Sequence, residues 1–208
     1  MHLFIEQLFT DPVVYILIVV LMAFSICVHE FSHSLAARLE GDDTGERLGF
    51  MTMNPLIVMG THSLIALLIF GFAWGRVPIN PSRMRHRWSG AWVAFAGPLS
   101  NFLLAIVFAI LFLLGSRYEI TMIRNIGMCG LYANVLLGVF NFLPIPMLDG
   151  WHVFEYFIPA MRRVSMEHRN MILFIAILLL WVTRLSVVLD YVVRFVMALY
   201  LRIFSFLF

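Results

Sequence analysis

The sequence predicts an all-α polytopic membrane protein, and two observations predict it. The 208-residue chain is 62% hydrophobic and only 12% charged, too little polar surface for a soluble domain of that size. Its mean hydropathy is +0.94, and apolar runs long enough to cross hydrocarbon recur along it. The expected architecture is a bundle of about five or six transmembrane helices. A re-entrant, irregular or β-hairpin segment is expected between the first and third spans. A single membrane domain fills residues 1–208, with a core over 12–160 and C-terminal helices over 170–208.

The spans follow in order. Residues 1–11 are a mildly amphipathic start. The first span runs from about Pro12 to Ala37, with Pro12 suited to a helix N-terminus and Asp11 a plausible cap. Ionisable residues inside this run, and no small-residue cleavage pattern before its end, argue against a removable signal peptide. A polar loop follows, then an apolar run over 56–72. The stretch from Trp74 to Trp88 contains Val77-Pro78-Ile79-Asn80-Pro81, an alternating, proline-bounded piece that reads as extended chain. The third span covers 90–114, the fourth 122–142, and the fifth begins near Asn170. In the final stretch, Asp190, Arg194, Ala198 and Arg202 recur at four-residue intervals on one stripe, so that helix either spans or lies against the bundle.

Charge and cysteine usage narrow the function. A net charge of +2 gives no footprint for nucleic acid. Cys27 and Cys129 both lie in apolar runs and read as structural thiols.

The chemistry sits at the end of the first span. His29-Glu30-Phe31-Ser32-His33 is an HExxH motif. On a helix, residues four apart share a face, so both imidazoles can reach one ion. Glu30 lies about 100° around the helix, where it can activate water without ligating the metal, the general-base arrangement of zinc hydrolases. Two His and a Glu at membrane depth are costly unless they face a cavity, an ion or one another. A catalytic zinc needs a third protein ligand. Asp149 is the candidate: it follows a proline-rich break at the end of a span, with Gly150 beside it. The competing role for Asp149 is the N-cap of a short helix over 151–161.

Together these motifs resemble the site-2 protease family of intramembrane zinc metalloproteases. Asn141-Phe142-Leu143-Pro144-Ile145-Pro146-Met147-Leu148-Asp149-Gly150 matches that family's Asn-x-x-Pro…Asp-Gly pattern. Gly97-Pro98-Leu99-Ser100-Asn101 and Pro78-Ile79-Asn80-Pro81 resemble its short members, which lack PDZ and CBS domains. The resemblance covers roughly 12–160. It implies one zinc ion per chain on His29, His33 and Asp149, with Glu30 activating water. It also implies hydrolysis of a peptide bond within or near a transmembrane helix of a substrate protein in the lipid bilayer. For Asn141 it implies contact with the substrate backbone or the developing oxyanion; a helix-end hydrogen bond is the alternative. Asn101 reads as an interhelical hydrogen-bonding residue. The 78–80 stretch is a candidate clamp for an unwound substrate strand, or a simple loop.

The chain departs from that pattern in two places. Trp151 and His152 stand where short members carry a second Gly and an Arg, and Asn54-Pro55-Leu56 runs into Ile57-Val58-Met59-Gly60 instead of a His-x-Asp-Pro element. His62 and His152 are therefore candidates for shaping the site. The main rival class is an intramembrane zinc transporter, in which His and Asp form a transit site; a catalytically silent membrane-protein binder is the other.

Shared ligation also constrains topology. For His33 and Asp149 to meet, the first and fourth spans must be parallel, so something between them fails to cross: the 56–72 run is either re-entrant or a span whose polar sequel over 74–88 returns through the protein interior. Arg38 and Arg47, Arg76, Arg83, Arg85 and Arg87, and Arg162, Arg163 and Arg169 fall in three loops that the positive-inside rule assigns to the cytoplasm. The reading is a multi-pass protein of a prokaryotic plasma membrane, its N-terminus outside and its active site towards the cytoplasmic face.

Overall fold

The computed structural model describes residues 3–182 and 185–207; the first two residues of the 1–11 start, the 183–184 junction and residue 208 lie outside it. Helix α1 spans Pro12–Leu39. Pro12 occupies its first turn, and the Asp11 carboxylate accepts from the Val14 N–H at 3.1 Å, the expected cap. After a helical turn at Pro55–Val58, α2 covers only Gly60–Phe70 and ends at Gly71, whose left-handed φ of 70° terminates it. Eleven residues rise about 16 Å, half of the hydrocarbon thickness, too short for this helix to span by itself.

Residues 72–80 then form an extended strap. It pairs with no strand among the described residues, so the irregular form of this segment is observed and the hairpin is not. Pro78 and Pro81 lack the N–H groups a ladder needs. The strap is instead tied to helix ends: the Arg76 N–H donates to Val58 O at 3.1 Å, and the Ser63 hydroxyl both donates to Trp74 O and accepts from its N–H.

Helices α3 (Ser89–Arg117) and α4 (Thr121–Asn141) are joined by a three-residue loop and form the tightest pair in the bundle. Small residues on α4 allow that approach: a methyl group at Gly127 would stand 2.3 Å from the Phe112 backbone, and one at Gly130 would stand 2.2 Å from the Phe108 ring. Across the α1–α3 interface His29 meets Asn101 and His33 meets Val93, so those helices are antiparallel. Helices α1 and α4 therefore run parallel, as shared ligation requires.

Short α5 (Asp149–Phe157), α6 (Met166–Val182) and α7 (Leu185–Phe204) complete the chain. Among the described residues α1, α3 and α4 are long and apolar enough to cross a membrane. Helix α6 has 17 residues, and α7 carries Asp190, Arg194 and Arg202. α7 packs against α3 and α4 through buried Val193 and Met197, and the Tyr200 hydroxyl donates to Phe102 O at 3.0 Å. Its charged stripe faces outward, with Arg194 paired to Asp190 at 2.7 Å. The result is an all-α membrane bundle.

Candidate metal centre

One turn of α1 separates His29 from His33, and their Nε2 atoms stand 3.0 Å apart, both rings buried. The third member arrives from the far side. After α4 ends, the 142–148 loop turns the chain back, and Asp149 opens α5. Its Oδ2 lies 2.9 Å from His29 Nε2 and its Oδ1 lies 3.3 Å from His33 Nε2. Leu148, not Asp149, is the residue at the N-cap of α5, and the helix has no side-chain cap. Of the two roles open to Asp149, the carboxylate occupies the one beside the imidazoles. Gly150 is required for close approach: a Cβ there would fall 2.3 Å from Phe142 O and 2.4 Å from Leu143 O.

The partners of the other ring nitrogens decide what this cluster can hold. His33 Nδ1 lies 2.7 Å from Val93 O, a carbonyl that can only accept, so Nδ1 carries the proton and Nε2 presents its lone pair. His29 Nδ1 lies 2.6 Å from Asn101 Oδ1. The Asn101 amide group is turned towards Asn134 Oδ1 at 3.0 Å, so its oxygen is the atom facing His29 and Nε2 of that ring is also a lone pair. Asp149 Oδ2 is buried without a hydrogen-bond partner. With both rings neutral, three electron-pair donors converge on one point, an arrangement that suits a cation. Their separations approach the edge of a tetrahedron around an ion about 2.0–2.1 Å from each ligand. His29, His33 and Asp149 are the group among the described residues positioned to share one metal ion.

Helix α3 roofs the cluster. Pro98 lies inside it and has no N–H for the Ala94 carbonyl, which loosens the turn holding Val93. Gly97 leaves the volume an ion needs, since a methyl group there would sit 2.4 Å from His33 Nε2 and 2.6 Å from His29 Nε2. Glu30 is buried beside the cluster, and the strap passes directly over it: a Cβ on Gly75 would meet Glu30 Oε1 at 2.6 Å.

The remaining candidates are placed as follows. The Asn141 amide donates to Leu137 O one turn back at 3.0 Å. Pro78 and Ile79 lie in the strap. Asn80 is committed structurally: its N–H donates to Asp42 Oδ2 at 2.6 Å, and its Oδ1 caps the following turn through the Ser82 N–H at 3.1 Å. His62 is exposed on α2, and His152 is exposed on α5 with its Nδ1 3.1 Å from Glu155 Oε1; neither joins the metal cluster. Sequence reasoning named Gly97 within a family-like motif but not its place against the two imidazoles, and it missed Gly75 and Asn134. A polar amide in the middle of the apolar 122–142 run was the one available signal.

Comparison with known proteins bears on the whole bundle. The model of Peptidase family M50 matches residues 17–127 and 115–183. A Bacillus subtilis protein named "Putative zinc metalloprotease YwhC" is 33% identical over 178 residues, 81% of each chain. Proteins of the same description are Rip2 of Mycolicibacterium smegmatis, 32% identical over 68% of this chain and 57% of the relative, and MJ0611 of Methanocaldococcus jannaschii, 32% identical over 69% and 71%. No solved structure matches the chain. The matched regions include residues 29–33 and 149, and the chain belongs to Peptidase family M50.

Proposed function

We propose that this chain is an intramembrane zinc metalloprotease that hydrolyses a peptide bond within or near a transmembrane helix of another membrane protein. The observation that carries the reading is the convergence of His29 Nε2, His33 Nε2 and Asp149 Oδ2 with buried Glu30 alongside, on helices of membrane-spanning length. His29, His33 and Asp149 would hold one zinc ion, which when bound supplies Lewis acidity to the scissile carbonyl and to water. Glu30 takes the proton from the attacking water and returns it to the leaving amine. The Asn141 side chain offers a donor to the carbonyl oxygen as charge develops.

The strap supplies a place for substrate backbone. A transmembrane helix satisfies its own hydrogen bonds and must unwind before attack. Among the described residues, the backbone groups of Val77 and Ile79 make no hydrogen bond, so this part of the strap, two to four residues beyond the Gly75 that lies against Glu30, can accept an unwound strand by edge pairing. Within the proposed clamp, Ile79 shares the pairing edge with Val77, Pro78 between them holds the chain extended, and Asn80 anchors it. Charge supports an orientation with the site towards the cytoplasm: the arginines at 38, 47, 76, 83, 85 and 87 share the metal-proximal end of the bundle, and the opposite end carries Arg117 and Arg124.

The test is cleavage of a generic transmembrane substrate by the purified protein in detergent. Chelation is expected to abolish cleavage and zinc to restore it. Glu30→Gln is expected to retain zinc while losing roughly 10²–10⁴-fold in rate. Cleavage that survives complete zinc removal, or full activity in Glu30→Gln, contradicts the reading.

A further inference from the structure

Beyond the ligands, a chain of amides runs through the most buried part of the bundle. Ser25 on α1, Asn101 on α3 and Asn134 on α4 are each 0% exposed. Asn134 Nδ2 donates to Gly130 O at 2.9 Å and to Ser25 Oγ at 2.9 Å. Asn134 Oδ1 accepts from Asn101 Nδ2 at 3.0 Å, and Asn101 Oδ1 faces His29 Nδ1 at 2.6 Å.

The chain has a direction. The Gly130 carbonyl can only accept, so the amide nitrogen of Asn134 must face it and the amide oxygen must face Asn101. That oxygen draws the Asn101 nitrogen, which in turn leaves the Asn101 oxygen for His29. Only an Nδ1–H then completes the contact, and the Nε2 lone pair is left for the metal. Reversing either amide would place an NH₂ group against His29 Nδ1 and move the ring proton to the ligating nitrogen.

We propose that Asn101 and Asn134 are positioning residues of the metal centre, forming a relay from the α4 backbone that commits His29 Nε2 to the ion. The inference rests on the zinc reading above. It assigns a task to two amides that interhelical bonding alone does not require, since either could bond across the bundle in either direction. Outer partners of metal-bound histidines are worth about 10–100-fold in metal affinity, and that is the effect expected here.

The experiment measures zinc affinity of the full-length protein by chelator competition, with the thermal midpoint of the zinc-free protein as a fold control. Asn101→Leu removes the acceptor and is expected to bind zinc 10–100-fold more weakly. Asn101→Asp keeps an acceptor for His29 and is expected to bind at least as tightly as wild type. Asn134→Leu, which touches no metal ligand, is expected to weaken zinc, whereas Asn134→Asp, which still accepts from Asn101, is expected to stay within a few-fold of wild type. Should Asn101→Leu fail to fold, the Asn134 pair and Asn101→Asp carry the same contrast. Equal affinity in folded Asn134→Leu and wild type, or equal losses in the Asp and Leu variants, overturns the relay. Absence of zinc binding by the wild type would instead defeat the metal reading itself.

Discussion

At the scale of single residues, the centre depends as much on what is missing as on what is present. Gly97 and Gly75 have no side chain, and their neighbours are the proposed ligand pair His29 and His33 and the proposed general base Glu30. Gly97→Ala would push a methyl group into the volume shared by His29 Nε2 and His33 Nε2. Overpacking of this kind costs about 1–3 kcal/mol, so zinc affinity is expected to fall roughly tenfold to a hundredfold, read as zinc per chain after dialysis against a weak chelator. A variant that keeps a full equivalent of zinc would show that the α3 roof gives way. The HExxH motif made His29, Glu30 and His33 legible from spacing alone, and Asp149 needed the family pattern as well. Gly97 stood in a family-like motif, but its contact with the imidazoles was not legible, and Gly75 gave no sign, because a close approach between segments distant in sequence leaves no local signal.

At the scale of elements, the strap is held by the loop that follows α1. Asp42 is 1% exposed and accepts from the Asn80 N–H at 2.6 Å, from the Thr44 N–H at 3.1 Å and from the Thr44 hydroxyl. Asp43 pairs with Arg83 at 2.9 Å, and the Arg85 N–H donates to Glu40 O at 2.9 Å. Burial alone would raise the Asp42 carboxyl, but the Thr44 and Asn80 donors, with the Arg83 charge, outweigh it and hold the group below its ordinary value of 3.8. A carboxylate depressed in the folded state contributes stability that is fully present above its unfolded value and is lost as pH falls through the folded one. Asp42→Asn is therefore expected to lower stability by about 1–3 kcal/mol at neutral pH. The difference in thermal midpoint from wild type should hold down to about pH 5 and narrow below about pH 4; a gap that widens towards acid would contradict this. The proline-bounded 74–88 stretch announced itself as extended chain, but its anchoring did not, since Asp42 and Asn80 are brought together only by the return of α2.

At the scale of the whole molecule, the requirement that His33 and Asp149 meet made the parallel course of α1 and α4 legible before any coordinates. The number of crossing helices was less so: hydropathy alone does not separate a short helix such as α2, or a charged one such as α7, from a full span. Under the proposed orientation, with the N-terminus outside, a cysteine introduced at Glu119, in the α3–α4 turn, is expected to react with an impermeant thiol reagent applied externally. One at Arg163 is expected to react only from the cytoplasm, and the reverse pattern would invert the topology. The strap lying over Glu30 has one more consequence. Under the proposed reaction, a substrate pairs with the strap as extended chain, so a helical segment is presented only after its own turns have melted. Selection then acts on the cost of melting, not on the identity of any one side chain: glycine and proline, which weaken a helix by about 1 and 3 kcal/mol per residue relative to alanine, would mark a substrate as cleavable wherever they cluster at the depth of the zinc.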